Sequence, residues 1–85
     1  MAEVRILYFA WVRERVGRDA DRLPLSAPLA LEQLVQRLRE QGGGHDLALA
    51  DLSRLRAAIN QDFAPWTAEV KPGDEVAIFP PVTGG

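Results

Sequence analysis

The sequence predicts an α+β fold, a small mixed sheet with one main helix laid across one face. Two short runs rich in β-branched and aromatic residues, 4–9 and 75–79, have the composition of strands. Between them one segment, opened by Pro28, repeats leucine and valine at helical spacing. The 85 residues, 47% of them hydrophobic, suffice for one core and not for two, so residues 1–85 are read as a single domain with a flexible tail over 80–85.

In the first strand, alternation groups Val4, Ile6 and Tyr8 on one side and Arg5, Leu7 and Phe9 on the other. Arginine is costly to bury, so the second side is expected to face outward, with Leu7 and Phe9 at or near solvent. Residues 10–16 offer one or two helical turns with Val12 and Val16 one turn apart, closed by Gly17 as a C-cap. Leu23 and Leu25 share a face with Pro24 between them, which suits an edge strand pairing with the first. Pro28 is placed in the first turn of the main helix, and Leu31, Leu34, Val35 and Leu38 form its buried stripe.

Gly42-Gly43-Gly44 is read as a helix stop plus loop, since no strand precedes it and no Gly-Lys-Ser/Thr follows to make a phosphate loop. His45 in that loop is expected to be solvated. Leu47, Leu49, Leu52 and Leu55 suggest a helical turn without a clean period. Residues 56–60 read as a strand, with a helix running on to Ile59 as the competing assignment. Asn60-Gln61-Asp62 turns the chain into Phe63-Ala64. Lys71-Pro72-Gly73-Asp74 is a turn into the last strand, where Val76 and Ile78 face the core.

Composition removes several function classes. Without cysteine there is no disulfide, thiolate metal site or cysteine nucleophile, and one histidine cannot build a metal cluster by itself. An independent catalyst is therefore not expected. The net charge of −2 and the scattered cations leave no electrostatic footprint for nucleic acid. The N-terminal stretch matches neither a secretory signal nor a membrane span, so the expected compartment is the cytoplasm.

The last seven residues, Phe79-Pro80-Pro81-Val82-Thr83-Gly84-Gly85, stand apart from the rest. Proline cannot feed a sheet ladder and glycine has no side chain, so a strand is expected to stop abruptly and become a stiff, then pliable, arm. Fully extended, the five residues from Pro81 span roughly 17 Å, enough to enter a partner's pocket with a carboxylate at the tip.

These features carry a resemblance. The opening Val4-Arg5-Ile6-Leu7-Tyr8-Phe9-Ala10 with Val12-Arg13-Glu14, then Ala58-Ile59-Asn60, Gly73-Asp74-Glu75-Val76 and the terminal motif together resemble the small subunits of molybdopterin synthases, a ubiquitin-like β-grasp family. The resemblance implies a sulfur carrier, a cosubstrate whose side chains need not catalyse and which binds no cofactor of its own. An adenylating enzyme similar to the ubiquitin-activating enzymes would use ATP and Mg²⁺ to activate the Gly85 carboxylate, and a sulfur donor would convert it to a thiocarboxylate. The tail would then enter the large catalytic subunit and give its sulfur to cyclic pyranopterin monophosphate. Gly84 would let the backbone pass closely.

The resemblance further implies that partners are met by Phe9, Arg13, Phe63 and Phe79 and by Pro80, Pro81, Val82 and Thr83. For Phe63, burial in the core is the alternative. Other roles on the same fold are a sulfur carrier for thiamine or tRNA thiolation and a protein modifier joined to lysines through Gly85. A binding module without terminal chemistry fits the acidic balance poorly.

Overall fold

In the computed structural model, which describes residues 2–81, the first and last strands lie side by side at the middle of the sheet. β1 (Glu3–Tyr8) and β7 (Glu75–Phe79) run parallel, with Arg5 opposite Glu75 and Tyr8 opposite Ile78. Parallel neighbours need a long crossover, and the intervening chain supplies it. The alternation read from sequence decides the faces: Val4, Ile6, Tyr8, Val76 and Ile78 are buried, and Arg5 is exposed.

After β1 come α1 (Ala10–Val16), β2 (Ala20–Pro24), β3 (Leu29–Ala30), α2 (Leu31–Arg39) and α3 (Gly43–Ala48). A 3₁₀ turn at Leu52–Arg54 leads into β4 (Arg56–Ile59), β5 (Asp62–Ala64) and β6 (Glu69–Val70). The main sheet has the order β2-β1-β7-β4-β5 and is antiparallel except at β1–β7, the mixed sheet expected of a β-grasp. The strand reading of residues 56–60 therefore holds over the helical one. β2 is an edge strand, and Pro24 sits at its end opposite Glu3.

α2 buries Leu31, Leu34, Val35 and Leu38 in one continuous core with Val4, Ile6, Val76 and Ile78. Each such side chain contributes about 1.5–3 kcal/mol at most, so this stripe is what fixes the helix on the sheet. Pro28 is not in the helix. Leu29 and Ala30 first pair with Val70 and Glu69 as a two-stranded ladder, which postpones the helix to Leu31. The Ala30 N–H, next to the helix start, donates to Gln33 Oε1 at 3.2 Å.

The glycine triplet also departs from its sequence reading. Only Gly42, at φ 76°, is a loop residue, while Gly43 and Gly44 open α3. α3 lies so close to α1 that a Cβ on Gly44 would stand 2.0 Å from the Arg15 carbonyl oxygen. This approach carries His45 inward, where it is 5% exposed rather than solvated.

His45 Nε2 lies 2.7 Å from Asp21 Oδ2, and since a carboxylate only accepts, the ring presents Nε2–H. The Tyr8 hydroxyl donates to the same oxygen at 2.8 Å, and Arg18 Nη1 pairs with Oδ1 at 2.8 Å. The cluster ties β1, β2 and α3 together on the core side of the sheet. Burial alone would push the Asp21 carboxyl up, but the hydrogen bonds from His45 and Tyr8, with Arg18, outweigh it and hold it below the usual range. Burial first, and then the Asp21 charge, push the Tyr8 phenol upward.

A depressed carboxyl stabilises the fold above its unfolded pKa of about 3.9 and loses that contribution as pH falls through the folded value. A raised phenol stabilises below about 10 and loses its contribution as pH rises beyond. The thermal midpoint is therefore expected to be flat between roughly pH 5 and 9 and to fall on both sides. Differential scanning calorimetry of Asp21→Asn should show a lower plateau with a shallower acid limb. An acid limb as steep as that of the parent protein would remove Asp21 from this role.

Candidate functional site

The face of the sheet opposite the helices has its own organisation, set by register. Ala20 pairs with Leu7, Leu7 with Ala77, Ala77 with Ala58 and Ala58 with Phe63, so one apolar row crosses all five strands. Three of the five are alanines, and two of them, Ala77 and Ala58, separate the larger Leu7 and Phe63. Toward one end the face turns charged, with Arg5 paired to Glu75 and Arg22 to Glu3, each at 3.6 Å. These exposed pairs contribute little to stability, of order 0–1 kcal/mol each.

The other end is aromatic. Phe63 is 83% exposed and its ring centroid lies 5.8 Å from that of the half-buried Phe79. Phe9 is 45% exposed, and its extended backbone (φ −130°, ψ 156°) carries the outward alternation one residue past β1. Its N–H donates to the Ile78 carbonyl at 3.2 Å, which fixes it beside the end of β7. Arg56, Ala57, Phe63, Ala64, Pro65, Phe79 and Pro81 line a groove of about 570 Å³. Contiguous exposed apolar surface of this kind is common where proteins meet partners.

Pro80 has no N–H and the ladder stops at Phe79, so the tail leaves the sheet where the aromatic end lies. Val82, Thr83, Gly84 and Gly85 lie outside the described residues. Of the residues singled out from sequence, the fold brings Phe63, Phe79 and Pro81 together around the groove, with Phe9 and Pro80 adjacent. Arg13 does not line the groove; it lies one turn into α1, with its backbone N–H donating to the Phe9 carbonyl at 3.4 Å and its Nε 3.8 Å from Asp19 Oδ1. Sequence reading passed over Leu7 with Ala58 and Ala77 as a row, and Arg56 altogether. Cross-strand register creates that row, and the only trace of Arg56 in the sequence is its alternation with Ala58.

The arrangement presents an apolar surface and the root of the tail. Among the described residues no three His, Asp or Glu side chains converge in a way that could hold a metal. No helix among them is long and apolar enough to cross a membrane.

The sequence profile of the ThiS family matches residues 6–85. The chain is 44% identical over 82 residues to the molybdopterin synthase sulfur carrier subunit of Escherichia coli (strain K12), covering 96% of this chain and 99% of the relative. Among solved structures it is similar to a Pyrococcus furiosus protein described as a candidate molybdopterin converting factor, subunit 1, with TM-score 0.77 and 26% identity over 96% of this chain and 100% of that one. It shares its fold with a chain of the complex of subunits 1 and 2 of the molybdopterin-converting factor from Helicobacter pylori 26695. There the TM-score is 0.65 and the identity 21%, over 98% of this chain and 99% of the other.

Proposed function

The chain belongs to the ThiS family, and from that premise we propose that it is the sulfur carrier subunit of a molybdopterin synthase. The observation that carries the proposal is the continuity of the exposed aromatic end with the tail. Phe79 belongs to the patch with Phe63, and two residues on, Pro81 borders the same groove. A partner that grips this end holds the root of the arm at a fixed place, so the reach of the tip is set by a few residues.

The chemistry then belongs to the tip. A carboxylate oxygen is a poor leaving group, so activation must precede sulfur transfer. The Gly85 carboxylate attacks the α-phosphorus of ATP on a Mg²⁺-dependent adenylating enzyme, pyrophosphate leaves, and an acyl-adenylate forms. The outer sulfur of a persulfide on the donor protein displaces AMP to give an acyl disulfide, and a thiol reductant cleaves its S–S bond, leaving the thiocarboxylate on the carrier. In the large subunit the thiocarboxylate sulfur displaces an oxygen substituent from a side-chain carbon of cyclic pyranopterin monophosphate, water cleaves the resulting acyl–sulfur bond, and the carrier returns as a carboxylate, two carriers serving each dithiolene. Glycine at 84 and 85 suits this passage, because a Cβ there would narrow the approach to the nucleotide and to the pterin.

Intact-mass analysis of the carrier after incubation with its adenylating enzyme, ATP, Mg²⁺ and a sulfur donor is expected to show one oxygen replaced by sulfur at the C-terminus. An unchanged mass would reject the carrier chemistry. A new isopeptide bond from Gly85 to lysine in place of the sulfur exchange would assign the chain to protein modification instead.

A further inference from the structure

The groove at the tail root is apolar but for one guanidinium. Five of the nine arginines face a carboxylate: Arg5, Arg13, Arg18, Arg22 and Arg39. Arg15 and Arg54 lie over the Trp11 ring, 4.8 and 5.9 Å from its centroid, and Arg37 borders a different hollow beside Pro24 and Leu25. Arg56 is left. It is exposed, stands opposite Phe79 in the register of β4 and β7, and pairs with no carboxylate among the described residues.

Its group is nevertheless held. Nη1 donates to the Leu55 carbonyl at 2.8 Å and to the Ser53 carbonyl at 3.4 Å. Both contacts use the same nitrogen, the 2.8 Å bond being the strong one, so the guanidinium is restrained through Nη1 while its Nε and Nη2 edge has no partner among the described residues. That edge is the fork that receives a carboxylate through two parallel hydrogen bonds. Its orientation is fixed beforehand, which lowers the ordering cost of binding.

We propose that Arg56 is the selectivity contact of this face, donating to a carboxylate of the large subunit whose neighbouring apolar side chain fills the groove that Phe63 and Phe79 line. The proposal rests on the sulfur-carrier reading for the identity of the partner. The apolar walls supply contact area that many surfaces could use, and the fixed fork restricts it to one that brings an acid to the right place. A like charge there is rejected, since an unpaired guanidinium would be covered.

The test is calorimetric titration of the full-length carrier with the large subunit of the synthase from the same organism, with Phe79→Ala as a control for the face itself. Arg56→Ala is expected to weaken binding about tenfold without lowering the thermal midpoint. Arg56→Lys should recover only part of that loss, because an ammonium cannot form the fork. Raising the salt concentration should cost the parent protein more affinity than Arg56→Ala. If Arg56→Ala binds within about twofold of the parent while Phe79→Ala is weakened, the face stands and the role of Arg56 is overturned. If neither the parent nor the variants bind, the sulfur-carrier reading fails and takes the proposal with it. Full rescue by Arg56→Lys would reduce the contact to a point charge and overturn the fork.

Discussion

A carrier extended by one alanine beyond Gly85 is expected to give no thiocarboxylate and no sulfur transfer, with its thermal midpoint unchanged. The added residue moves the carboxylate about 3.8 Å along the chain and puts a Cβ beside the reacting carbon. Neither change alters a residue of the core formed by Val4, Ile6, Leu34, Val76 and Ile78. Adenylation requires the carboxylate in line with the α-phosphorus, and a displacement of that size exceeds what positioned reactions tolerate. The effect should therefore be a loss of orders of magnitude, not a graded one. Pyrophosphate release by the adenylating enzyme and intact mass of the carrier measure it. An extended carrier that still acquires sulfur would place the acceptor elsewhere and overturn the terminal assignment.

Gly44→Ala is expected to destabilise the fold by about 3 kcal/mol, although helix propensity favours alanine over glycine by about 1 kcal/mol. The steric effect dominates because the new Cβ would sit 2.0 Å from the Arg15 oxygen, with Val16 Cα at 3.3 Å. These are main-chain atoms, so no rotamer change relieves the clash and α3 must withdraw from α1. For a domain of this size the midpoint should fall by roughly 12–24 °C. Adding Arg15→Ala should not rescue it, since the obstructing oxygen remains. A Gly44→Ala midpoint at or above that of the parent would show that α3 can slide at little cost. The same withdrawal would pull His45 from Asp21, so the acid limb of the stability profile should become shallower as well.

Where the sequence was legible, a period ran long enough to be read. Alternation over six residues separated Val4, Ile6 and Tyr8 from Arg5 and Leu7, and the stripe from Leu31 to Leu38 located the main helix. β3 and β6 have two residues each, too few for any period to appear. α3 was hidden for a different reason. Its two glycines disfavour a helix in isolation, and only packing against α1 overrides that preference. The burial of His45 depends on Asp21, 24 positions earlier, a pairing that no local pattern announces.

The candidate face follows the same division. Phe9 and Phe79 were visible as outward positions of strands, and the prolines marked where the ladder stops. The exposure of Phe63 was open because a three-residue strand gives its alternation no anchor. Arg56 came into view only when β4 was set beside β7, which puts it opposite Phe79.

The central position of β7 has a mechanical meaning. The arm is spliced to a strand held on both flanks, by β1 running with it and by β4 running against it. Tension applied at Pro80 along that strand loads two ladders in shear at once, and their bonds must yield together instead of unzipping from an edge. A pull at Pro80 is therefore resisted by the whole centre of the sheet and not by one edge of it.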